Sequence, residues 1–165
     1  MNALITAQLH IASPLGPIRL ARSAHGLCGL WFIGQKHERE AIDAPERPGD
    51  ALLQRARRQL DAYWAGRRRE FDLPLAPDGT PFQLSVWRAL RAIGFGSTRS
   101  YGEVASSIGA ARAVRAVGAA IGRNPLGVIV PCHRVVGSGG SLTGYAGGLD
   151  RKRHLLELEG VLAPA

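Results

Sequence analysis

The feature that most constrains the fold is a change in the spacing of apolar residues near residue 80. Before residue 35, the segments "LITAQLHIAS", "IRLARSA" and "LCGLWFIG" show partial alternation of apolar and polar residues, with turns at 14–17 and 25–26. Such alternation predicts β-strands. After the turn-rich segment "APDGTP" at 76–81, apolar residues recur at helical spacing. We therefore predict two domains, residues 1–79 and 80–165, and an α+β fold.

The predicted N-terminal domain is a scaffold made of a small antiparallel sheet covered by one helix. The segment "ALLQRARRQLDAYWAG" at 51–66 is amphipathic at helical spacing. The segment "REFDLPL" at 69–75 is expected to add one further strand. The face of the helix predicted to cover the sheet consists of Leu52, Leu53, Ala56, Leu60, Tyr63 and Trp64.

The predicted C-terminal domain is mostly helical. Thr80 followed by Pro81 is typical of the start of a helix. Ser100 and Glu103 form the S-x-x-E pattern of a capping box, which predicts a second, short helix. A third helix over "ARAVRAVGAAIG" at 111–122 completes a helix-turn-helix pattern. An ordinary hairpin of packed helices would show the same pattern.

The net charge of +8 is concentrated in the second half of the chain. Residues 80–165 contain ten Lys or Arg against four Asp or Glu, whereas residues 1–79 contain eleven against nine. A localised positive charge indicates an anionic partner, and a solvated surface is the alternative. The third predicted helix carries Arg112 and Arg115. Its small residues would let the backbone come close to a DNA groove; they include Ala116, Gly118 and Ala119.

Cysteine usage bears on the compartment. The chain has only Cys28 and Cys132, and no apolar run approaches the ~18 residues of a membrane span. Few cysteines fit a reducing compartment and free thiols, so we expect a cytoplasmic protein without membrane association. His10, His25 and His37 share the first half with Cys28. One thiol among scattered histidines is a weak zinc pattern, and no metal is predicted.

Cys132 lies in the segment "IVPCHRVV" and is the candidate nucleophile. The apolar run "LGVIV" at 126–130 is predicted to be a buried strand or extended segment that Pro131 terminates, which places the thiol where the chain leaves the core. A thiol attacks as the thiolate, which needs a positive or hydrogen-bonding neighbourhood, and His133 and Arg134 follow directly. The alternative is a small apolar core residue.

His133 needs a partner that fixes its tautomer. In an extended chain, neighbouring side chains point to opposite sides, so a bend or a water molecule has to join His133 to Cys132. The carboxylates of the second half are Glu103, Asp150, Glu157 and Glu159. Glu159, at the end of the last predicted helix, is the expected partner of His133. A solvent-facing charge at a helix end is the alternative for Glu159.

The segment "GSGGSLTGYAGG" at 137–148 contains six glycines in twelve residues. Such a loop lets the backbone approach a flat ligand, and a flexible hairpin is the equally common alternative. The spacing of a phosphate-binding loop is missing, so no cofactor is predicted.

The motifs together resemble one family. "VIVPCHRVVG" and "LTGYAGG", preceded by "SYGEVA", "RAVGAA" and "NP", resemble the O6-alkylguanine-DNA alkyltransferases, also called methylated-DNA–protein-cysteine methyltransferases. The similarity is close over residues 80–160 and general over the first 79. It implies direct repair of double-stranded DNA that contains alkylated guanine, and also alkylated thymine. The damaged base is flipped out, and its alkyl group passes irreversibly to Cys132, once per molecule. A monomer is expected, with cooperative binding along DNA left open.

The resemblance also implies catalytic roles for individual residues. Glu159, His133, a water molecule and Cys132 would form a hydrogen-bond relay. Tyr101 would give or share the proton that the leaving guanine needs. Asn124 would brace the recognition helix against the active-site segment.

Further roles concern DNA and the alkyl pocket. By the same resemblance, Arg115 would fill the space that the flipped nucleotide leaves in the duplex. Val114 and Ile121 depart from the residues more usual in the family, so the fit of this helix to the groove is expected to differ. The pocket would be lined by Val135, Tyr145, Ala146 and Gly147.

Two other functions fit the same residues. A DNA lesion sensor or thiol-switched regulator would use modification of Cys132 as a signal and the helix-turn-helix as the output. A thiol hydrolase would use Cys132, His133 and Glu159, but no oxyanion hole is recognisable in the sequence.

Overall fold

The computed structural model describes residues 4–39 and 41–164. The chain divides into two compact units, Met1–Asp78 and Gly79–Ala165. Among the described residues, no helix has the length and apolarity needed to cross a bilayer.

The first unit is built on a three-stranded antiparallel sheet in the order β1-β2-β3, formed by β1 (Ile5–Ile11), β2 (Ile18–Ser23) and β3 (Gly26–Phe32). Every residue of β3 is buried. Helix α1 (Ala51–Trp64) packs on the sheet, as predicted. It begins at Asp50, whose side chain accepts the backbone N–H of Leu53.

Two expectations for this unit need correction. The segment 69–75 forms no strand, and only Leu75 makes an isolated bridge to Leu27. Pro74 has no N–H and cannot extend a ladder, although its carbonyl accepts the N–H of Leu27. Trp64 is only half-buried, whereas the other predicted members of the covering face are buried.

The second unit is mostly helical. Its elements are α2 (Pro81–Arg91), β4 (Arg99–Ser100), α3 (Tyr101–Ser107), α4 (Val114–Gly122), a 3₁₀ turn (Cys132–Arg134), β5 (Val135–Val136) and α5 (Leu149–Leu158). Strands β4 and β5 pair in parallel. The predicted caps are confirmed, because Thr80 and Ser100 each accept the N–H three residues on, and Gln83 and Glu103 return a bond to the cap backbone. Local side-chain chemistry therefore fixes where α2 and α3 begin.

The third predicted helix begins later than expected. Helix α4 starts at Val114 rather than at residue 111, so Arg112 lies in the turn between α3 and α4. The N–H of Ala113 bonds to the carbonyl of Ala110, and the tight connection uses the residues that the periodic pattern had assigned to the helix.

The segment 126–130 is buried as predicted but is not a strand. It folds into consecutive turns, in which the N–H of Val130 bonds to the carbonyl of Leu126 and Val128 has φ of 71°. The apolar side chains drive its burial, while the turns satisfy the backbone groups that a ladder would otherwise pair.

Candidate functional site

Cys132 opens the 3₁₀ turn directly after Pro131 and is 7% exposed. Burial raises the pKa of its thiol above the ordinary value, against the opposing effects of a hydrogen bond from the Asn124 side chain and the charge of Lys152. The sulfur therefore holds its proton at neutral pH. Reaction at this sulfur requires a neighbouring base.

His133 is fully buried and lies next to Glu159, the carboxylate expected from sequence. Its Nε2 lies 2.8 Å from Oε2 of Glu159. A carboxylate accepts, so Nε2 carries the hydrogen and Nδ1 carries the lone pair. Burial lowers the pKa of His133 and Glu159 opposes that shift. Nδ1 is buried and has no hydrogen-bond partner among the described residues, so the neutral ring offers an acceptor for a proton.

Arg134, which was expected to contribute positive charge near the thiol, forms an ion pair with Glu159. Its Nε donates to Oε1 of Glu159 at 2.8 Å and its Nη2 to Oε2 at 3.0 Å, while Nη1 donates to the carbonyl of Ile93 at 2.6 Å. This two-bond ion pair fixes the orientation of the carboxylate that holds His133. The charge of Arg134 is thus paired with the carboxylate that binds His133.

Asn124 follows α4 and connects it to the turn that carries Cys132. It is 6% exposed. Its Oδ1 accepts the N–H of Leu126 at 3.0 Å, and its Nδ2 donates to the carbonyl of Val130 at 2.9 Å. The same amide lowers the pKa of the Cys132 thiol, in opposition to burial. One side chain therefore joins the end of α4 to the turn that carries Cys132.

Lys152 is a site residue that sequence reasoning missed. It is fully buried on α5, and its Nζ donates to the carbonyls of Val135 at 2.5 Å, Thr143 at 2.9 Å and Gly144 at 3.2 Å. Burial lowers the pKa of its ammonium to about 8. A signal was present, because Lys152 shares the helical stripe of the buried Leu155, Leu156 and Glu159.

The remaining pocket residues lie around the glycine-rich loop. The hydroxyl of Tyr101, at the start of α3, donates to the carbonyl of Thr143 at 2.8 Å. Tyr145 is half-buried by surface area, and burial raises the pKa of its hydroxyl, with a further contribution from Cys132. Ala146 is half-buried and Gly147 is buried. Cys132 therefore lies close enough to Tyr145 to raise the pKa of its hydroxyl.

Helix α4 presents an exposed face of small and basic residues. Arg115, Ala116 and Ala119 are exposed on the helix, and Arg112 is exposed in the turn before it. Gly118 is half-buried instead, and a Cβ placed there would lie 3.8 Å from the ring of Tyr101. Gly118 therefore lies on the side of α4 that faces α3, whereas Ala116 and Ala119 face solvent.

A groove of about 1160 Å³ lies between α2 and α3, lined in part by Arg88, Arg99 and Glu103, and none of the predicted pocket residues borders it. In the part of the chain that the structure describes, no group of three or more His, Cys, Asp or Glu side chains lies close enough to hold a metal ion.

A helix-turn-helix in the same unit as a buried cysteine and an adjacent buried histidine defines a class, the DNA-binding proteins with a thiol at their functional site. Residues 81–161 match the model of the 6-O-methylguanine DNA methyltransferase DNA-binding domain, and residues 9–77 match that of the ribonuclease-like domain of the same proteins. The chain belongs to this family, the methylated-DNA–protein-cysteine methyltransferases.

Individual relatives agree over nearly the whole chain. A methylated-DNA–protein-cysteine methyltransferase of Methanosarcina acetivorans is 52% identical over 148 residues, which cover 90% of this chain and 94% of the relative. One of Mycobacterium tuberculosis is 51% identical over 155 residues, 94% of this chain and 93% of the relative. The crystal structure of Mycobacterium tuberculosis OGT in complex with DNA superposes with a TM-score of 0.88 at 49% identity, covering 97% of this chain and 96% of that one.

Proposed function

We propose that the protein repairs double-stranded DNA directly by moving an alkyl group from O6 of guanine to Sγ of Cys132, once per molecule. The observation that carries the proposal is a buried thiol whose residue is directly followed in the chain by a buried, neutral histidine. Glu159 fixes the tautomer of His133 so that Nδ1 is the acceptor atom. That arrangement suits a cysteine that must lose its proton inside a closed site.

The reaction begins with removal of the thiol proton. A water molecule passes the proton from Sγ of Cys132 to Nδ1 of His133, and Glu159 stabilises the resulting imidazolium. The thiolate attacks the alkyl carbon in line with the C–O6 bond. A C–S bond forms, the C–O6 bond breaks, and its electron pair stays on O6. A thioether has no easy leaving group, so the protein is not regenerated.

The guanine anion needs a proton, and Tyr101 is the proposed donor. Its hydroxyl lies at the start of α3 and donates to the carbonyl of Thr143. In the reacting complex the hydroxyl turns from that carbonyl to the base. The carbonyl keeps the ammonium of Lys152 as a second donor, so the change leaves it hydrogen-bonded.

Base extrusion is assigned to α4. Arg115 is exposed in its first turn, and Ala116 and Ala119 leave the helix surface low enough for close approach to a groove. Insertion of a side chain into the minor groove compensates for the stacking that the flipped nucleotide loses. Val135 and residues 145–147 are proposed to line the pocket that receives the base. The protein is proposed to act as a monomer in the cytoplasm.

The test is mass spectrometry after incubation with duplex DNA that contains O6-methylguanine. We expect one added methyl group on the peptide that contains Cys132, none in Cys132→Ser, and full transfer in the matched control Cys28→Ser. A second duplex with O4-methylthymine measures the range of lesions. Tight binding of the lesion without transfer would contradict the proposal and indicate a sensor.

A further inference from the structure

A strained turn stands four residues before the acceptor cysteine. Val128 has φ of 71°, in the left-handed region where β-branched residues are outliers. The N–H of Ile129 donates to the carbonyl of Gly127 at 2.8 Å. A hydrogen bond closed over three residues with positive φ at the middle one is the rare, strained form of the γ-turn.

The strained turn leads directly to the groups that hold Cys132. The N–H of Val130 closes an outer turn on the carbonyl of Leu126 at 2.9 Å. The carbonyl of Val130 then accepts two bonds, from Nδ2 of Asn124 at 2.9 Å and from the N–H of Cys132 at 2.8 Å. The direction of this one carbonyl sets the position of Asn124 and of the acceptor cysteine together.

Burial of the side chain keeps the turn in its strained form. Val128 is 1% exposed, between Leu126 at 0% and Val130 at 1%. A relaxed φ would turn the valine side chain away from this packing. Strained backbone that the surrounding packing over-determines is found preferentially at functional sites.

We infer that Val128 is a positioning residue for the acceptor thiol: its strained γ-turn aims the Val130 carbonyl, which binds both the Asn124 amide and the backbone N–H of Cys132. The inference rests on the proposed function, because it assigns the turn to alkyl transfer at Cys132. It does not make Val128 a participant in the reaction.

The first measurement tests the strain. Val128→Gly and Val128→Ala are compared by thermal unfolding with the matched pair Val86→Gly and Val86→Ala, at a fully buried valine inside α2. In a helix, glycine is the less stable residue, so Val86→Gly is expected to melt about 2–4 °C below Val86→Ala. We expect Val128→Gly to melt about 2–4 °C above Val128→Ala, because glycine adopts positive φ without strain.

The second measurement tests the positioning. Cys132 is labelled with iodoacetamide over a range of pH, and the extent of labelling is measured on the peptide that contains Cys132. In Val128→Gly the carbonyl is no longer held in one direction, so Cys132 and Asn124 lose the common acceptor that fixes them relative to each other. We expect labelling at pH 7.5 to fall about tenfold, equivalent to a shift of about one pH unit in the profile. The Val86 variants should keep the wild-type profile, although they are less stable.

Each outcome decides the inference. If alanine melts above glycine at residue 128, or if Val128→Gly fails to fold where Val86→Gly folds, the strain is excluded. If folded Val128→Gly keeps the wild-type profile, the positioning role is excluded. Iodoacetamide needs no DNA, so failure of methyl transfer by the wild-type protein would remove the proposed function and leave both Val128 readouts to be judged separately.

Discussion

The two cysteines of the chain are equally buried and chemically different. Cys28 and Cys132 are each 7% exposed, and burial raises the pKa of both thiols. Cys28 lies in β3 in a small core cluster with Ile5, Ala21 and Trp31, and its pKa is raised to about 11. Burial is the largest effect there and outweighs the charges of nearby arginines.

The surroundings of Cys132 differ in hydrogen bonding rather than in exposure. The Asn124 side chain and the backbone N–H of His133 favour its thiolate, and in the proposed function the neutral His133 ring is the proton acceptor. In both cysteines, desolvation raises the pKa and keeps the resting thiol protonated. Reactivity then depends on a base that can take the proton and on donors that stabilise the sulfur anion.

Removing the carboxylate behind His133 should give the largest effect. In Glu159→Gln the buried Arg134 loses its counter-charge and His133 loses the partner that stabilises its protonated form. We expect methyl transfer to Cys132 to slow roughly 100-fold or more. We expect the free energy of unfolding, measured in urea, to fall by about 3–5 kcal/mol.

Glu157→Gln is the control for that variant, because Glu157 lies on the same helix and is half-buried. It should react and unfold like the wild type. If Glu159→Gln transfers methyl groups at the wild-type rate, the proposed hydrogen-bond relay does not explain why Cys132 and Cys28 differ.

The charge of Lys152 can be isolated through pH. Below pH 8 the buried ammonium is protonated in the folded and unfolded states, and the folded state carries the full cost of burying it. As pH rises from about 8 towards the ordinary pKa of 10.5, the folded lysine loses its proton first and that cost disappears. Between pH 7.5 and 10.5, the free energy of unfolding of the wild type should therefore rise by about 3 kcal/mol relative to that of Lys152→Met.

Urea unfolding at several pH values measures this difference. Lys36→Met alters the only other lysine, which is exposed, and should track the wild type across the range. A constant difference between wild type and Lys152→Met would show that the ammonium is not desolvated. In that case its charge would contribute little to the environment that separates Cys132 from Cys28.

Arg115→Ala separates thiol chemistry from the opening of DNA. The side chain lies on the exposed face of α4, outside the relay. We expect repair of duplex O6-methylguanine to slow about tenfold to 50-fold, and reaction with free O6-benzylguanine to stay unchanged, because only the duplex has a base to extrude. Arg153→Ala, exposed on α5, controls for the loss of one positive charge. Equal losses on both substrates would place Arg115 in the chemistry of the thiol.

Local chemistry could be predicted from the sequence, because neighbouring residues determine it. The caps at Thr80 and Ser100 depend on residues three positions away, and both are present. The pairing of His133 with Glu159 spans 26 residues, and it could be foreseen because few carboxylates are available in the basic half.

Features that depend on packing could not be predicted in the same way. An apolar run such as 126–130 predicts burial but not the turns around Val128, since strand and turn bury the same side chains. The lysine in "LDRKRHLLELEG" lies on the apolar stripe of its helix, but the sequence does not show the three carbonyls, of residues 135, 143 and 144, that allow Lys152 to be buried. The apolar spacing also predicted that the third helix includes Arg112, because spacing alone does not show how many residues a tight turn needs.

The smallest effect is expected from substitution of Cys28, the other cysteine of the pair. In Cys28→Ala the apolar cluster loses one sulfur atom, so stability should fall by about 1 kcal/mol while methyl transfer to Cys132 stays within about twofold of wild type. Cys28→Ser would bury a hydroxyl in the same cluster and should be the less stable of the two variants. Urea unfolding and mass spectrometry check both. A change in transfer that exceeds the change in stability would mean that the first thiol influences the second, and that environment alone does not account for their difference.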